Sequence, residues 1–251
     1  MGALYVYGVG QSSKCGSVSV RGVAGGAVRT VEHGGLAALV TPVEGGPLAA
    51  AREVRSHWRV LEEACGGATV LPVRFGTVME DEQAVRELLL EPNAERLEHA
   101  LRELEGRVQL SVKGDYNEEQ LMRDVVKSSH AVAKLRERIR TLPGEAGYYD
   151  RIRLGELVAG EVGHRRAADT RLALELLEPV ATAVREEELR RPEAAFNLAC
   201  LVDRGQQDAF GREVARLGER LGDRIELRFV GPLPPYSFAD VDLDAEAAAW
   251  A

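Results

Sequence analysis

The sequence predicts an α+β protein whose strands and helices are divided between two domains. Its 251 residues suffice for one large domain or two small ones. Short segments with alternating apolar and polar residues, typical of half-buried strands, are separated by longer segments with apolar residues at helical spacing. A helical pattern that ends at Gly106 places the boundary there, with an N-terminal α+β domain at 1–106 and a C-terminal domain at 107–251.

The first domain is predicted to open with three strands. The first covers 3–9, and two more, at 27–32 and 36–42, are joined by His33-Gly34-Gly35, a turn typical of β-hairpins. Gly8-Val9-Gly10 is only weakly similar to a phosphate-binding loop, because the full GxxxxGK[ST] pattern is absent. His33 is interpreted as a turn residue, so neither a nucleotide nor a metal is expected here.

A helix is predicted to begin at Gly45-Gly46-Pro47, since proline suits the first helical turn, and to end at Gly66-Gly67. His57 lies beside its predicted apolar face. With no second histidine or cysteine at i+3 or i+4, His57 is not expected to bind metal. The face itself is predicted from three- and four-residue steps between Leu48, Ala51, Val54, Trp58, Leu61 and Cys65.

A strand is predicted at 69–77. Pro72 cannot donate a ladder hydrogen bond, which predicts an edge position or a bulge. Arg74 is interpreted as a solvated charge or an internal ion-pair partner, with an anion or partner contact as the alternative. Thr77-Val78-Met79-Glu80 has the pattern of a capping box and predicts a helix start, and Pro92 should break the helix that follows.

The second domain is predicted to be a ferredoxin-like sheet with helices on one face. A strand, a long helical crossover, a central strand, a helix and a last strand follow in that order, as in a split β-α-β sheet. Asn117 should cap a helix that runs to Pro143-Gly144, and a second helical segment should run from Gly147 to about Arg191. The three strands are predicted at 108–112, 196–202 and 225–229.

The last strand leads into a stiff aromatic segment at 229–238. Its three prolines fix φ and remove backbone donors, so the segment loses little entropy when it docks. It is predicted to dock either on its own protein, as a clasp over the core, or on a partner. The candidate docking residues are Pro232, Pro234, Pro235, Tyr236 and Phe238, with Arg74 and Phe75 as their counterparts in the first domain. The acidic tail after Asp244 is expected to fray.

Composition argues for a cytoplasmic protein that does not bind nucleic acid. The net charge is −8, and charges of both signs are interspersed rather than grouped. No apolar run approaches the ~18 residues of a membrane span, and no secretory leader is recognised. Cys15, Cys65 and Cys200 are far apart in sequence and form no CxxC pair, which favours a reducing compartment.

No pattern in the sequence indicates catalysis. No nucleophile–base pairing, no metal-spaced histidine or cysteine set and no complete phosphate loop is found, so no catalytic, metal-binding or cofactor-binding residue is predicted. Because catalytic groups converge from distant positions, an unrecognised enzyme stays an alternative. A ligand-binding or RNA-binding regulatory module is the other, although the strands lack the paired aromatic residues that an RNA-binding sheet needs.

The sequence resembles the gas vesicle accessory protein family GvpL/GvpF. Four segments carry the resemblance: Leu4-Tyr-Val-Tyr-Gly8, Leu71-Pro-Val-Arg-Phe-Gly-Thr77, Gly147-Tyr148-Tyr149 and Val230-Gly-Pro-Leu-Pro-Pro-Tyr-Ser-Phe238. The proline-rich segment is the most specific of them, and 116–146 shows no resemblance. Family members often carry an aromatic residue before the Pro-Pro pair, where this sequence has Leu233.

The resemblance implies a non-enzymatic protein needed to assemble gas vesicles, which are gas-filled shells of a small, very hydrophobic protein. It implies two α+β domains, of which the second is a modified ferredoxin-like fold with a helical insertion. It also implies that the shell protein, other gas vesicle accessory proteins or both are partners. An apolar shell subunit needs its surface covered before assembly, and an acidic protein can offer an apolar groove or a sheet edge for this.

Overall fold

The structure is a computed structural model that describes residues 2–16, 18–44, 50–142 and 147–239. Its residue contacts divide the chain into two compact units, unit 1 (1–109 and 231–251) and unit 2 (110–230). The predicted second domain extended to residue 251, whereas the chain from residue 231 onward groups with unit 1. The predicted frayed tail after Asp244 lies outside the described residues.

Unit 1 contains a five-stranded β-sheet with strand order β2-β3-β1-β4, in which β5 also pairs with β1. Its strands are β1 (Ala3–Gln11), β2 (Arg29–His33), β3 (Leu36–Val43), β4 (Val70–Pro72) and β5 (Val78–Met79). The predicted hairpin is confirmed, since Gly34 and Gly35 both have positive φ between the antiparallel β2 and β3. The edge position predicted from Pro72 is also confirmed, because β4 ends the sheet.

Strand β1 lies between β3 and β4 and is buried from Leu4 to Gly10. Its pairing with β3 shifts register between Val6 and Gly8, which marks a bulge in the strand. A side chain at Gly8 would place its Cβ 2.7 Å from the Leu71 carbonyl oxygen, so glycine is needed for β4 to approach β1.

The helices of unit 1 include α1 (Ala51–Gly67), α2 (Glu82–Ala84) with a π-helical continuation at Val85–Leu90, and α3 (Ala94–Leu104). The helix start predicted at Gly45-Gly46-Pro47, and Leu48 with it, lie outside the described residues. The predicted apolar face of α1 is wrong in part. Val54 and Trp58 are exposed, whereas Glu53 and His57 are buried, because both polar side chains have partners inside the unit.

The predicted strand at 69–77 and the capping box at Thr77 are corrected together. Only Val70–Pro72 pairs as β4, and the Thr77 hydroxyl donates to the Arg74 carbonyl in a turn. Val78 then pairs with β1, so sheet pairing replaces the predicted helix start. The helix is capped instead by Asp81, whose Oδ1 accepts from the Ala84 amide at 2.9 Å. The predicted break at Pro92 is confirmed.

Unit 2 has the ferredoxin-like arrangement that the sequence predicts. Its strands are β6 (Arg107–Tyr116), β7 (Ala183–Glu186), β8 (Ala194–Asp203) and β9 (Ile225–Leu233), in the order β7-β8-β6-β9. Its helices are α4 (Glu118–Ser128), α5 (His130–Thr141), α6 (Tyr148–Leu177) and α7 (Gln207–Leu221). The β-α-β-β-α-β sequence of elements is that of a split β-α-β fold, in which α4 and α5 are additional to the crossover helix α6.

The helical segment predicted to reach Arg191 is too long. Helix α6 ends at Leu177, and Pro179, which has no N–H, lies in the short turn that follows. Strand β7 then takes up 183–186 and pairs antiparallel with β8. This strand was not predicted, because its residues, Ala-Val-Arg-Glu, are half-exposed or exposed at the edge of the sheet and lack an apolar alternation.

The single helix predicted after Asn117 is two helices. The Asn117 cap is confirmed, since its Oδ1 accepts from the Gln120 amide at 3.0 Å. The chain leaves the helix at Ser129, whose φ of −105° and ψ of 103° are extended. There the Arg165 guanidinium donates to the Asp124 carbonyl and the Ser128 hydroxyl. Pro143-Gly144, the predicted end, lies outside the described residues.

Candidate docking site

A buried histidine in unit 1 joins two tyrosine hydroxyls. The Tyr5 hydroxyl lies 2.9 Å from His57 Nδ1, and the Tyr236 hydroxyl lies 2.5 Å from His57 Nε2. Strand β1 supplies Tyr5, helix α1 supplies His57, and residues 231–239 at the end of the described chain supply Tyr236. We call 231–239 the clasp, because its tyrosine closes this hydrogen-bonded row of three side chains.

The partners of Tyr5 determine where the protons lie. The Gly76 amide donates to the Tyr5 hydroxyl at 3.1 Å, so the remaining bond of that buried hydroxyl is its own donation to His57 Nδ1. A neutral imidazole that accepts at Nδ1 carries its proton at Nε2. His57 therefore donates to the Tyr236 hydroxyl.

Burial disfavours the charged form of all three side chains, so none of them readily gains or loses a proton. His57 is 2% exposed, and loss of solvation lowers its pKa to about 4. The same loss of solvation raises the pKa of the Tyr5 and Tyr236 hydroxyls above their ordinary values. At neutral pH the row is therefore uncharged, and its chemistry is that of positioning: each hydrogen bond fixes the orientation of a ring.

Aromatic rings surround the histidine. Phe75 meets His57 edge-on at 5.5 Å between ring centroids, and Tyr7 stacks on it at 5.6 Å. Trp58 stacks on Tyr236 with centroids 6.1 Å apart and 10° between the ring planes. The Tyr7 hydroxyl accepts from the Val23 amide and donates to Thr41, so it is satisfied without the histidine.

The outer side of this cluster is an apolar surface, which we call the α1 patch and define as Val54, Trp58 and Tyr236. These side chains are 47%, 36% and 37% exposed. Val54 and Trp58 are four residues apart, so they lie on one face of α1, and Tyr236 continues the face through its stack with Trp58. Rigid, partly exposed aromatic residues are the usual anchors of protein interfaces.

The clasp is held by its own turn and by unit 1. The Tyr236 amide donates to the Pro234 carbonyl at 2.8 Å, and the Phe238 amide donates to the Pro235 carbonyl at 3.0 Å. Gln109, which is buried, accepts from the Ser237 amide through its side-chain oxygen at 3.0 Å. These bonds satisfy backbone groups that a proline-rich segment cannot satisfy in a sheet.

The predicted docking residues have different surroundings. Pro234 and Pro235 are buried, Phe238 is half-buried, and Pro232 is exposed. Tyr236 and Phe75 come together, because both rings contact His57. The Arg74 side chain is exposed and forms no ion pair with another residue of the described ranges. The structure thus brings Phe75 and Tyr236 to one cluster and leaves Arg74 outside it.

Neither the role of His57 nor the exposure of Trp58 is evident from the sequence, because the partners of His57 lie 52 and 179 residues away along the chain. A local signal existed in the pair Glu53 and His57, polar residues four apart that occupy the buried face of α1. Glu53 accepts from the Ala24 amide at 2.8 Å, and this bond chiefly holds the pKa of Glu53 below its usual value.

A second buried polar cluster lies in unit 2. Asp169 of α6 is 6% exposed, accepts from the Tyr116 hydroxyl at 2.8 Å and forms a two-point ion pair with Arg224. Every carboxylate oxygen thus has a partner, which is what burial of a charge requires. Nowhere in the described ranges do three His, Cys, Asp or Glu side chains group as metal ligands would. None of the helices described is long and apolar enough to span a bilayer.

Fold and site together define a class: an α+β protein with a ferredoxin-like sheet and a partly exposed aromatic patch fixed by buried hydrogen bonds. The chain belongs to the family of gas vesicle synthesis proteins GvpL/GvpF, whose model matches residues 3–240. It therefore has a gas vesicle accessory role. The family predicted from the four sequence segments is thus confirmed.

Relatives and solved structures agree with this assignment. Gas vesicle protein F of Streptomyces sp. strain CB03234 is 35% identical over 94% of this chain and 99% of its own length. Gas vesicle protein L of the same strain is 30% identical over 88% of this chain and 86% of its own. The crystal structure of GvpF from Anabaena sp. PCC7120 covers 96% of this chain and 99% of its own, with a TM-score of 0.84 at 24% identity, and thus has the same fold.

Proposed function

We propose that this chain is a non-enzymatic assembly factor that binds the hydrophobic gas vesicle shell protein through the α1 patch. Other gas vesicle accessory proteins are further partners, and the cytoplasm, where shells are assembled, is its proposed location. The observation that carries the proposal is the stacked pair Trp58–Tyr236, exposed on one side and locked from behind by the His57 hydrogen bond.

Physical arguments favour binding of an apolar surface. A shell subunit with large apolar areas aggregates unless these are covered before assembly. The α1 patch offers apolar area whose rings are already fixed, so little side-chain entropy is lost when a partner covers them. Arg55 and Arg59, exposed on the same helix, supply the polar rim that a reversible complex requires.

The chemistry of the buried groups favours binding over catalysis. Both ring nitrogens of His57 are occupied by tyrosine hydroxyls, and its pKa of about 4 makes it a weak base at neutral pH. Burial raises the pKa of the Cys200 thiol to about 12, which keeps it protonated and unreactive. Relatives are likewise called gas vesicle proteins and not enzymes.

Co-purification with the shell protein tests the proposal. Each of Trp58→Ala and Tyr236→Ala should reduce the recovered shell protein about tenfold or more, as expected when an interface anchor is removed. Tyr236→Phe keeps the ring but loses the bond to His57, so it should have an intermediate effect. The matched control is Leu88→Ala, since Leu88 is an exposed apolar residue of unit 1, 61% exposed, outside the patch.

Melting curves must show that each variant is folded. If folded Trp58→Ala and Tyr236→Ala proteins recover as much shell protein as Leu88→Ala does, the patch is not the shell-binding surface. If the unchanged protein recovers none, shell binding itself is wrong.

A further inference from the structure

Helices α5 and α6 form a hairpin whose tip carries exposed aromatic residues. Tyr148 and Tyr149, the first residues of α6, are 58% and 83% exposed, and Ile152 is 46% exposed. At spacings of three and four residues the three side chains share one face of the helix. The two tyrosine rings contact each other edge-on at 5.5 Å, so they form one surface.

The tip is basic although the chain is acidic. Over 130–154 the sequence has six basic and three acidic residues, a net charge of +3 with His130 neutral, whereas the whole chain carries −8. The basic residues, all exposed, are Lys134, Arg136, Arg138, Arg140, Arg151 and Arg153. The next acidic residue, Glu156, lies one helical turn beyond Ile152.

Two of these acidic residues, Glu137 and Asp150, form internal ion pairs. Asp150 accepts from Arg138 at 2.9 Å, which ties α6 to α5, and Glu137 pairs with Arg140 at 2.8 Å. Lys134, Arg136 and Arg153 form no ion pair with any residue in the described part of the chain. Their charge remains available to an outside partner.

Arginine flanks the aromatic stripe on both sides. With 100° between successive residues of a helix, Arg151 and Arg153 lie on opposite sides of the line from Tyr148 to Ile152. An apolar centre with a basic border on each side is complementary to a helix whose own apolar face is bordered by carboxylates. Tyrosine and arginine are also the residues most enriched among the anchors of such interfaces.

We infer that the hairpin tip of unit 2 is a second docking site, and that its occupant is an acidic amphipathic helix of a partner protein. The site lies within unit 2 and does not depend on the α1 patch or on shell binding. An apolar centre with a modest net charge favours a protein over a nucleic acid, for which a larger basic face is usual. A partner helix suits a surface that is itself one helical face, because the side-chain ridges of one helix pack into the grooves of another.

Fluorescence anisotropy with two labelled synthetic helices tests the inference on the full chain. One peptide of about three heptads has a leucine face bordered by glutamate, and its twin carries lysine instead. The chain should bind the acidic peptide at least about tenfold more tightly than the basic one, and the affinity should fall between about 0.05 M and about 0.5 M salt.

Variants locate the site. Tyr149→Ala, and separately the double variant Arg151→Glu/Arg153→Glu, should each weaken binding of the acidic peptide about tenfold. Arg212→Glu is the matched charge reversal, since Arg212 is exposed on α7 away from the tip. Circular dichroism melting should show that all variants are folded, so that a loss of affinity is a loss of contact.

Three results would overturn the inference. Equal affinity for both peptides would show that charge complementarity does not determine binding. Equal effects of Arg212→Glu and the tip variants would show that only the overall charge matters. Tighter binding of a single-stranded RNA oligonucleotide than of the acidic peptide would assign the tip to nucleic acid instead. Loss of shell binding by α1-patch variants with unchanged peptide affinity would leave this inference intact.

Discussion

At the scale of single residues, unit 1 depends on one neutral histidine. His57 can serve Tyr5 and Tyr236 together only while one ring nitrogen accepts and the other donates. Protonation makes both nitrogens donors, and the Tyr5 hydroxyl, which already accepts from Gly76, then loses the acceptor for its own proton. Burial lowers the pKa of His57 and so favours the neutral ring on which both hydrogen bonds depend.

This predicts a specific loss of stability in acid. The pKa of His57 is about 4 in the folded chain and about 6.5 when unfolded, so the unfolded state binds the proton first as pH falls. The contribution is complete above about pH 6.5, declines as pH falls, and is lost below about pH 4. Over that window it amounts to about 3 kcal/mol. Urea unfolding at several pH values measures it.

Comparison with a variant isolates the histidine from other titrating groups. His57→Gln should be less stable than the unchanged protein at pH 7, and the difference should shrink as pH falls toward 4. His33→Gln removes a half-buried histidine from the β2–β3 turn and should leave the acid loss of the unchanged protein intact. A constant difference between His57→Gln and the unchanged protein at every pH would contradict the assignment.

The elements that surround His57 could be predicted from the sequence, but the contacts between them could not. The alternation in β1 and the rigidity of the clasp predicted a buried strand and a docking segment. The docking partner of Tyr236 depends on how the chain folds over 179 residues, and no local pattern encodes that distance. Exposure of Trp58 was unpredictable for the same reason, because the buried face of α1 includes polar side chains whose partners are remote.

At the scale of elements, two glycines of unit 2 should respond to substitution in opposite directions. A Cβ at Gly114 in β6 would lie 2.7 Å from Phe196 Cζ and 2.9 Å from Ile225 Cγ2, both buried side chains of the sheet. Gly114→Ala should therefore cost about 1–3 kcal/mol by overpacking. Gly160, exposed within α6, has nothing within 4 Å of its Cβ position, and Gly160→Ala should stabilise by up to about 1 kcal/mol.

Denaturant unfolding followed by circular dichroism gives both values. A change of similar sign for the two alanines would show that helix propensity or sheet packing has been misjudged. The two variants also separate two effects on stability. At Gly160 the effect of alanine depends on helix propensity, whereas at Gly114 it depends on packing against the neighbouring strands.

Elements with strong local signals were predicted, and those decided by neighbours were not. Asn117, the Gly34-Gly35 turn and Pro92 act on the adjacent backbone, so their effects could be read directly. Strand β7 exists because β8 pairs with it, and the break at Ser129 accompanies contacts from Arg165. β8 is the next element along the chain, whereas Arg165 is remote from Ser129; in both places the predicted helical spacing was overridden by these partners, so one helix was predicted too long and another undivided.

At the scale of the whole molecule, the chain leaves unit 1 after Gln109 and returns to it at Gly231. Unit 1 is therefore discontinuous in sequence, whereas unit 2 is continuous. A division by sequence order alone assigns the clasp to the second domain, as our prediction of 107–251 did. Three of the four strands of the second sheet, β6, β8 and β9, were predicted from patterns within the chain, whereas β7 was missed.

Truncation after Leu233 distinguishes the two divisions. This change keeps all of β9 but removes Pro234, Pro235 and Tyr236, so His57 Nε2 loses its partner and the α1 patch loses a ring. Hydrogen exchange should then accelerate in α1 and β1 of unit 1, because their local unfolding free energy falls by about 1–3 kcal/mol. Exchange in β8 and α7 of unit 2 should stay within error of the full chain.

Mass spectrometry of peptides from the four elements provides the measurement, with Leu88→Ala as the control for a surface change in unit 1. If instead β8 and α7 exchange faster while α1 is unaffected, the clasp belongs energetically with the second domain, and the division at residue 107 predicted from the sequence is the correct one.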